Sequence, residues 1–319
     1  MKKHLALLMT LVLATGMLTG CGDGGNDKYT VGVCQLVQHV ALDAATEGFR
    51  QALIDKIGED AIEFDVQNAQ GDSATCATIV NSFVASDVDL ILANATAPLQ
   101  AAAQGTTTIP ILGTSITDYA SALEIDNWNG VTGRNISGTS DLAPLSEQAA
   151  MINELFPESV NVGVLYCSAE ANSQYQADVI KADLEALGKI VTFYTFVDTN
   201  DVQTVTQSAA DNSDVIYVPT DNTVASNTGI IDSVCRPAGV PIVAGEEGIC
   251  AGCGVATLSI SYYDLGYTTG LMAYEVLVNG ASVDDMEIQY APNVTKKYNA
   301  EICEALGVTV PDDYVAIGE

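Results

Sequence analysis

The residues of this chain that could do chemistry are two cysteines three apart, one histidine beyond the leader, and carboxylates that follow apolar runs. Cys250-Ala251-Gly252-Cys253 has the spacing of a zinc half-site or a redox dithiol. Zinc needs two more soft ligands; past the first twenty residues the only histidine is His39, and Cys235 brings at most a third ligand. The motif does not open a predicted helix, which weakens a redox role, so a local Cys250–Cys253 disulfide is expected. One histidine leaves little for base catalysis, although carboxylate pairs stay open. There is no Gly-rich dinucleotide fingerprint, Walker loop, Gly-x-Ser-x-Gly elbow or His-Glu-x-x-His. No metal and no cofactor are expected, and an enzyme is the weaker reading.

The remaining polar residues suit holding a molecule. Gln35 and Gln38-His39 follow one apolar run, Asn68-Ala69-Gln70-Gly71-Asp72 the next, then Asn94-Ala95-Thr96 and Ser115-Ile116-Thr117-Asp118. Further on, Ser168-Ala169-Glu170-Ala171-Asn172-Ser173, Thr220-Asp221-Asn222-Thr223 and Gly245-Glu246-Glu247 repeat the arrangement. The runs read as strands over 29–37, 61–69, 89–95 and 109–115, then 161–167, 190–197, 215–219 and 240–244. Helices lie between them. Leu42, Ala45, Phe49, Leu53 and Ile57 recur at helical spacing. Asp72 or Ser73 caps a second helix ending near 86, and others are predicted over 142–156, 172–187 and 222–238. This alternation predicts parallel sheets of βαβ units, hence an α/β chain of two doubly wound Rossmann-like lobes. Ligands of such sheets bind beyond the carboxyl ends of the strands, so the polar clusters form two facing rims and a cleft.

The N-terminus predicts where the cleft works. Lys2 and Lys3 precede an apolar stretch from Leu5 to Met17 that is too short to span a bilayer, and Leu18-Thr19-Gly20-Cys21 follows. This ending resembles the bacterial lipobox, which implies that 1–20 is a lipoprotein signal peptide and that Cys21 carries lipid. Each buried methylene contributes about 0.8 kcal/mol to such an anchor. Residues 21–28 read as a flexible lipid-anchored tether. The expected location is the outer face of the cytoplasmic membrane. A net charge of −30 repels nucleic acid and anionic headgroups, so no nucleic-acid partner is expected. A hydrophobic fraction of 48% excludes disorder. Seven cysteines remain after Cys21, so at least one is unpaired, and the sequence does not fix the pairing.

Several segments in order resemble one family. They include Ala44-Ala45-Thr46-Glu47-Gly48-Phe49, Asn68-Ala69-Gln70-Gly71-Asp72, Glu170-Ala171-Asn172-Ser173-Gln174-Tyr175-Gln176 and Val218-Pro219-Thr220-Asp221-Asn222-Thr223-Val224-Ala225-Ser226. From about Tyr29 to its end the chain is similar to ABC-transporter substrate-binding proteins of the tryptophan/tyrosine type. The resemblance implies a type I periplasmic-binding-protein fold with a three-crossing hinge. Its N-terminal lobe would be 29–138 plus 259–287, and its C-terminal lobe 139–258 plus 288–319. It further implies a monomer that captures a small molecule, an amino acid or a related compound and best an aromatic amino acid, and hands it to an ABC permease and its ATPase. The chain departs from the family pattern at Val40, at Tyr119 after Thr117-Asp118, and at Arg134.

For an α-amino acid, each part of the zwitterion makes its own demand. Thr96 with Ala97, at a helix start, would receive the carboxylate, with Ser115 and Thr117 adding hydroxyls; Thr96 as a plain helix cap is the equal alternative. Asp221 and Glu246 would take the ammonium, or Glu170 would. Asp221-Asn222-Thr223 as nothing more than an N-cap stays open, and Glu247 is expected in solvent. Gln35, His39 and Tyr263 would face the tail, with Asn68 and Asn172 completing the rims. A sensor that presents its ligand to a membrane receptor is the alternative function. A DNA-binding repressor is disfavoured for want of a helix-turn-helix.

Overall fold

Uninterrupted apolar strands must be covered on both faces, and this chain covers each of its two sheets with helices. The computed structural model describes residues 28–291 and 293–318; the leader, the lipobox cysteine Cys21 and nearly all of the tether lie outside them. The first set of elements is β1 (Tyr29–Gln35), α1 (Val40–Ile57), β2 (Ile62–Asn68), α2 (Ser73–Ala85), β3 (Leu90–Asn94), α3 (Thr96–Gly105), β4 (Ile111–Ile116), α4 (Tyr119–Ala122) and β5 (Ile136–Ser140). The second is α5 (Leu145–Leu155), β6 (Asn161–Cys167), α6 (Ala171–Ala186), β7 (Ile190–Phe196), α7 (Val202–Asn212), β8 (Val215–Val218), α8 (Asn222–Ala225), α9 (Thr228–Ala238), β9 (Ile242–Ala244), α10 (Glu247–Cys253) and β10 (Ala256–Ser259). The chain then returns to the first lobe with α11 (Tyr262–Leu277) and β11 (Gln289–Tyr290). It ends in the second with β12 (Thr295–Tyr298), α12 (Ala300–Leu306) and β13 (Val315–Ala316).

The first sheet has the order β11-β5-β4-β3-β1-β2 and the second β13-β12-β10-β9-β8-β6-β7. All ladders are parallel except β10–β12, where Thr295–Tyr298 runs back along Ala256–Ser259. The expected lobe boundaries shift. Position 138 falls inside β5, which continues to Ser140, and β11 pairs with Thr139 and Ser140 of the first sheet. The crossings therefore lie between β5 and α5, between β10 and α11, and between β11 and β12.

Two helices differ from their expected spans. The helix predicted over 142–156 begins at Leu145, because Pro144 holds the residue before it out of helical geometry. The helix predicted over 222–238 is two helices, α8 and α9. At the break the Asn227 amide donates to the Thr223 carbonyl at 2.7 Å, a side-chain bond that competes with the helical ladder.

The helices α1 and α11 touch along their backbones. A Cβ on Gly266 would lie 1.9 Å from the Ala45 carbonyl oxygen, and one on Gly48 would lie 2.1 Å from that of Tyr263. This contact joins the loop after β1, where His39 is the N-cap of α1, to Tyr262 just past the second crossing. Among the described residues no helix is long and apolar enough to cross a membrane.

Candidate functional site

The strand order reverses at β1 and β3 in the first sheet and at β6 and β8 in the second, so the loops after these strands splay apart and leave room for a ligand. Both openings face one interlobe cavity of about 330 Å³. Leu36, Val37, Thr96 and Ala97 line it from one side, and Glu170, Asn172, Asn222 and Thr223 from the other.

On the first lobe the cavity meets a bare helix start. Thr96 is not the cap: the N-cap of α3 is Ala95, with φ 97° and no side-chain cap. That backbone region is essentially reserved for glycine and costs of order 1–3 kcal/mol. The first-turn N–H groups of Thr96 and Ala97 have no carbonyl within the helix to bond. The helix thus presents open donors and its positive end to the cavity.

On the second lobe Glu170 organises the rim. Its carboxylate accepts from the Asn222 N–H at 3.0 Å and side-chain amide at 2.7 Å, and from the Thr223 N–H and hydroxyl at 2.8 Å each. Glu170 therefore caps the neighbouring helix α8 and not its own. Asn172 donates to the Thr220 carbonyl at 2.9 Å. With its amide nitrogen held by Glu170, Asn222 turns its Oδ1 to His39 Nε2 across the cleft at 3.1 Å.

Other expected ligand residues are engaged by the protein itself. Gln35 donates to Asp43 at 2.7 Å and accepts from Thr46 at 2.7 Å inside the first lobe. Asn68 closes a local turn by accepting the Gln70 N–H at 2.8 Å. Asp221, expected at the ammonium, is 1% exposed and points into the second lobe. It accepts the N–H of Cys167 at 2.7 Å and of Val224 at 2.8 Å, so it caps α8 and ties it to the end of β6. Burial, with Glu170 nearby, raises its pKa.

Glu246 and Tyr263 line a second cavity of about 580 Å³, bounded by the start of α1, α10, α11 and the third crossing. Glu246 accepts the N–H of Gly248 at 2.6 Å and also that of Ile249, and burial pushes it up to about 7. Tyr263 is partly exposed and stacks on Tyr267. Glu247, expected in solvent, binds Lys297 at 2.9 Å. The expected single site is thus divided between two cavities, with Ser115 and Thr117 buried outside the lining of both.

Two residues with no role in the sequence reading stand between the lobes. Asp141 is the first residue past β5 and accepts the Tyr262 hydroxyl at 2.9 Å. Asp141 follows Ser140 at the carboxyl end of β5, and the strand-end rule would have found it had residues 136–140 been read as a strand.

The cysteine expectation is corrected. All seven described cysteines are buried and none is in a disulfide. Cys250 and Cys253 lie on α10, where Cys253 donates to the Ile249 carbonyl at 3.4 Å and both pack as small apolar residues. Among the described residues no group of His, Cys, Asp and Glu is arranged to hold a metal.

Residues 30–317 match the model of the family described as ABC transporter substrate binding protein. The chain is 35% identical to a tyrosine-binding protein of Clostridioides difficile (strain R20291), over 96% of this chain and 92% of that protein. It is similar to a crystal structure from Streptococcus pneumonia of an ABC domain in complex with L-Trp, at 30% identity and a TM-score of 0.85, covering 90% of this chain and 97% of that one. A ligand-free, open structure of a Clostridium difficile substrate binding protein with adhesive properties is 35% identical, over 90% and 99%, yet superposes with a TM-score of only 0.69. The more identical sequence fits less well, so the lobes here are arranged more as in the L-Trp complex than as in the open form.

Proposed function

We propose that this chain, which belongs to the ABC transporter substrate binding protein family, captures an aromatic amino acid between its two lobes and delivers it to an ABC importer. Its fold is the type I periplasmic-binding-protein fold. The observation that carries the reading is the cavity bounded by both lobes, with an uncapped helix start on one wall and the Glu170–Asn222 rim on the other. A ligand held by both walls favours the closed state only through its differential affinity for it. The two relatives named for tyrosine and L-Trp support an aromatic amino acid as the ligand.

The anchor is part of the same proposal: lipid on Cys21 holds the protein at the outer face of the cytoplasmic membrane, and 22–28 give it reach. Replacing Cys21 by Ser is expected to release the protein from the membrane fraction.

The ligand is tested on the soluble chain from Gly22 by a thermal-shift screen of the twenty amino acids. Saturation near 100 times Kd adds about 2.7 kcal/mol, enough for a clear rise in melting temperature. A shift with tryptophan, tyrosine or phenylalanine is expected. A shift only with another chemical class would replace the aromatic assignment.

A further inference from the structure

Buried carboxylates in this protein are normally answered by donors. Asp221 and Glu246 each receive two backbone N–H groups, and even the half-buried Glu170 receives both N–H and side-chain donors. Asp141 is the exception among the described residues. It is 4% exposed, Tyr262 holds its Oδ2, and its Oδ1 has no partner. Among the described residues no salt bridge reaches it; Lys297, which lines the second cavity, is bound to Glu247.

A second unanswered atom lies on the adjacent strand end. Ser115, 6% exposed and with φ 57°, has no partner for its hydroxyl. The ends of β4 and β5 are tied together by the Asp141 N–H to the Ile116 carbonyl at 3.1 Å and by the Ser140 hydroxyl to the Thr117 carbonyl at 2.9 Å. Neither Asp141 nor Ser115 lines either cavity, but each sits one bonded neighbour behind a wall: Ser115 follows Thr114, and Asp141 holds Tyr262. The Ala95 N–H bonds the Thr114 carbonyl and leads to Thr96 on the first, while Tyr262 and Glu246 belong to the second.

One neighbouring carboxylate lacking a cation and one neighbouring hydroxyl lacking an acceptor are the complement of an ammonium and a carboxylate on one carbon. We propose that Asp141 is the specificity-determining counter-charge for the ammonium of the ligand, positioned by Tyr262, and that Ser115 donates to its carboxylate. The inference rests on the amino-acid reading above and assigns its recognition to residues other than Asp221 and Glu170. It also gives closure a cause. An ionised carboxylate sealed without a partner opposes the closed state, and a ligand ammonium removes that opposition. Binding and closing are then one event, with the ligand entering before the lobes meet.

The test is calorimetry on the soluble chain with L-tyrosine, its des-amino analogue 3-(4-hydroxyphenyl)propionate, and tyramine. The wild type is expected to prefer tyrosine over the des-amino analogue by about 100-fold or more, as a site built for a charged donor does. Asp141→Asn is expected to reduce that preference to below about 5-fold, and Ser115→Ala to reduce the preference over tyramine instead. Tyr262→Phe keeps the carboxylate and loses its support, so it is expected to weaken tyrosine by about 5-fold and serves if Asp141→Asn does not fold. An undiminished preference over the des-amino analogue in Asp141→Asn, or in that case no effect of Tyr262→Phe, overturns the assignment and leaves the proposed function standing. A wild type that binds none of the twenty amino acids overturns both.

Discussion

His39 Nε2 and Asn222 Oδ1 meet across the interlobe cleft at 3.1 Å, one from the start of α1 and the other from the start of α8. The bond has a defined direction. Glu170 takes the Asn222 amide N–H groups, so the oxygen faces His39 and the ring must present a proton on Nε2. Burial holds the His39 pKa below its usual value, so a neutral ring is the form that closes this contact. His39→Ala is therefore expected to weaken ligand binding by about 5-fold, the worth of one hydrogen bond near 1 kcal/mol. The loss should appear as faster release in stopped-flow fluorescence, with the melting temperature of the ligand-free protein nearly unchanged. Equal slowing of association would contradict a contact made only on closure.

Asp221 behaves differently. Its two oxygens receive the N–H of Cys167 at the end of β6 and of Val224 in α8. Asp221→Ala strands both donors in the second lobe, where each unsatisfied group costs about 1–3 kcal/mol. The expected result is a fall in melting temperature of several degrees in the ligand-free protein, with tyrosine still preferred over its des-amino analogue. A stable Asp221→Ala that had lost that preference would return the ammonium to Asp221.

The general plan was legible because it rests on local patterns. Apolar runs such as Leu90–Asn94 and the three- and four-residue spacing of Leu42, Ala45, Phe49 and Leu53 specify buried strands and a one-sided helix. The rims were legible for the same reason, since strand ends locate them. What did not show was which way each polar side chain turns. Gln35, Asp221 and Glu246 have the right types in the right loops, but each is taken by partners from 2 to 54 residues away. Asp141 was hidden because Ile136–Ser140 reads Ile-Ser-Gly-Thr-Ser, without the apolar run that marks the other strands. The α8–α9 break turns on Asn227 reaching back to Thr223, a choice that helical periodicity does not encode.

Gly266→Ala tests the contact that couples the hinge to the binding loop. The new Cβ would stand 1.9 Å from the Ala45 carbonyl oxygen, and both partners are helix backbone that cannot swing aside. Overpacking of this kind typically costs about 1–3 kcal/mol, and backbone against backbone belongs at the upper end or beyond. Chemical denaturation should show that loss. Affinity should fall as well, because α1 carries His39 and α11 carries Tyr262. Gly229→Ala is the control: it lies in α9, where a Cβ meets open space and the backbone is ordinary helix. A Gly266→Ala protein as stable as that control would mean the helices are not packed this closely.

The buried acids set the sign of a pH response. Burial raises Asp141 to about 6 and Glu246 to about 7, from ordinary values near 4, and raises Asp221 as well. A raised carboxylate binds its proton more tightly in the folded protein than in the unfolded chain. Its contribution is therefore fully present below the unfolded value and is lost as pH rises through the folded one. The ligand-free protein is expected to melt at a higher temperature at pH 5 than at pH 7.5, and the strongly negative net charge acts in the same direction. Exposed carboxylates repel one another whether or not Asp141 is present, so the surface contribution is separated by comparing wild type with Asp141→Asn. The variant should keep the Asp221 and surface responses and lose Asp141's own together with the part of Glu246's that the Asp141 charge causes, so the difference between the two pH values narrows. With tyrosine bound, the proposed ammonium holds Asp141 ionised, so the wild-type difference should shrink toward that of the variant. Scanning calorimetry of the four states decides it: identical pH differences in wild type and variant, with and without ligand, would show that Asp141 does not titrate in the folded protein.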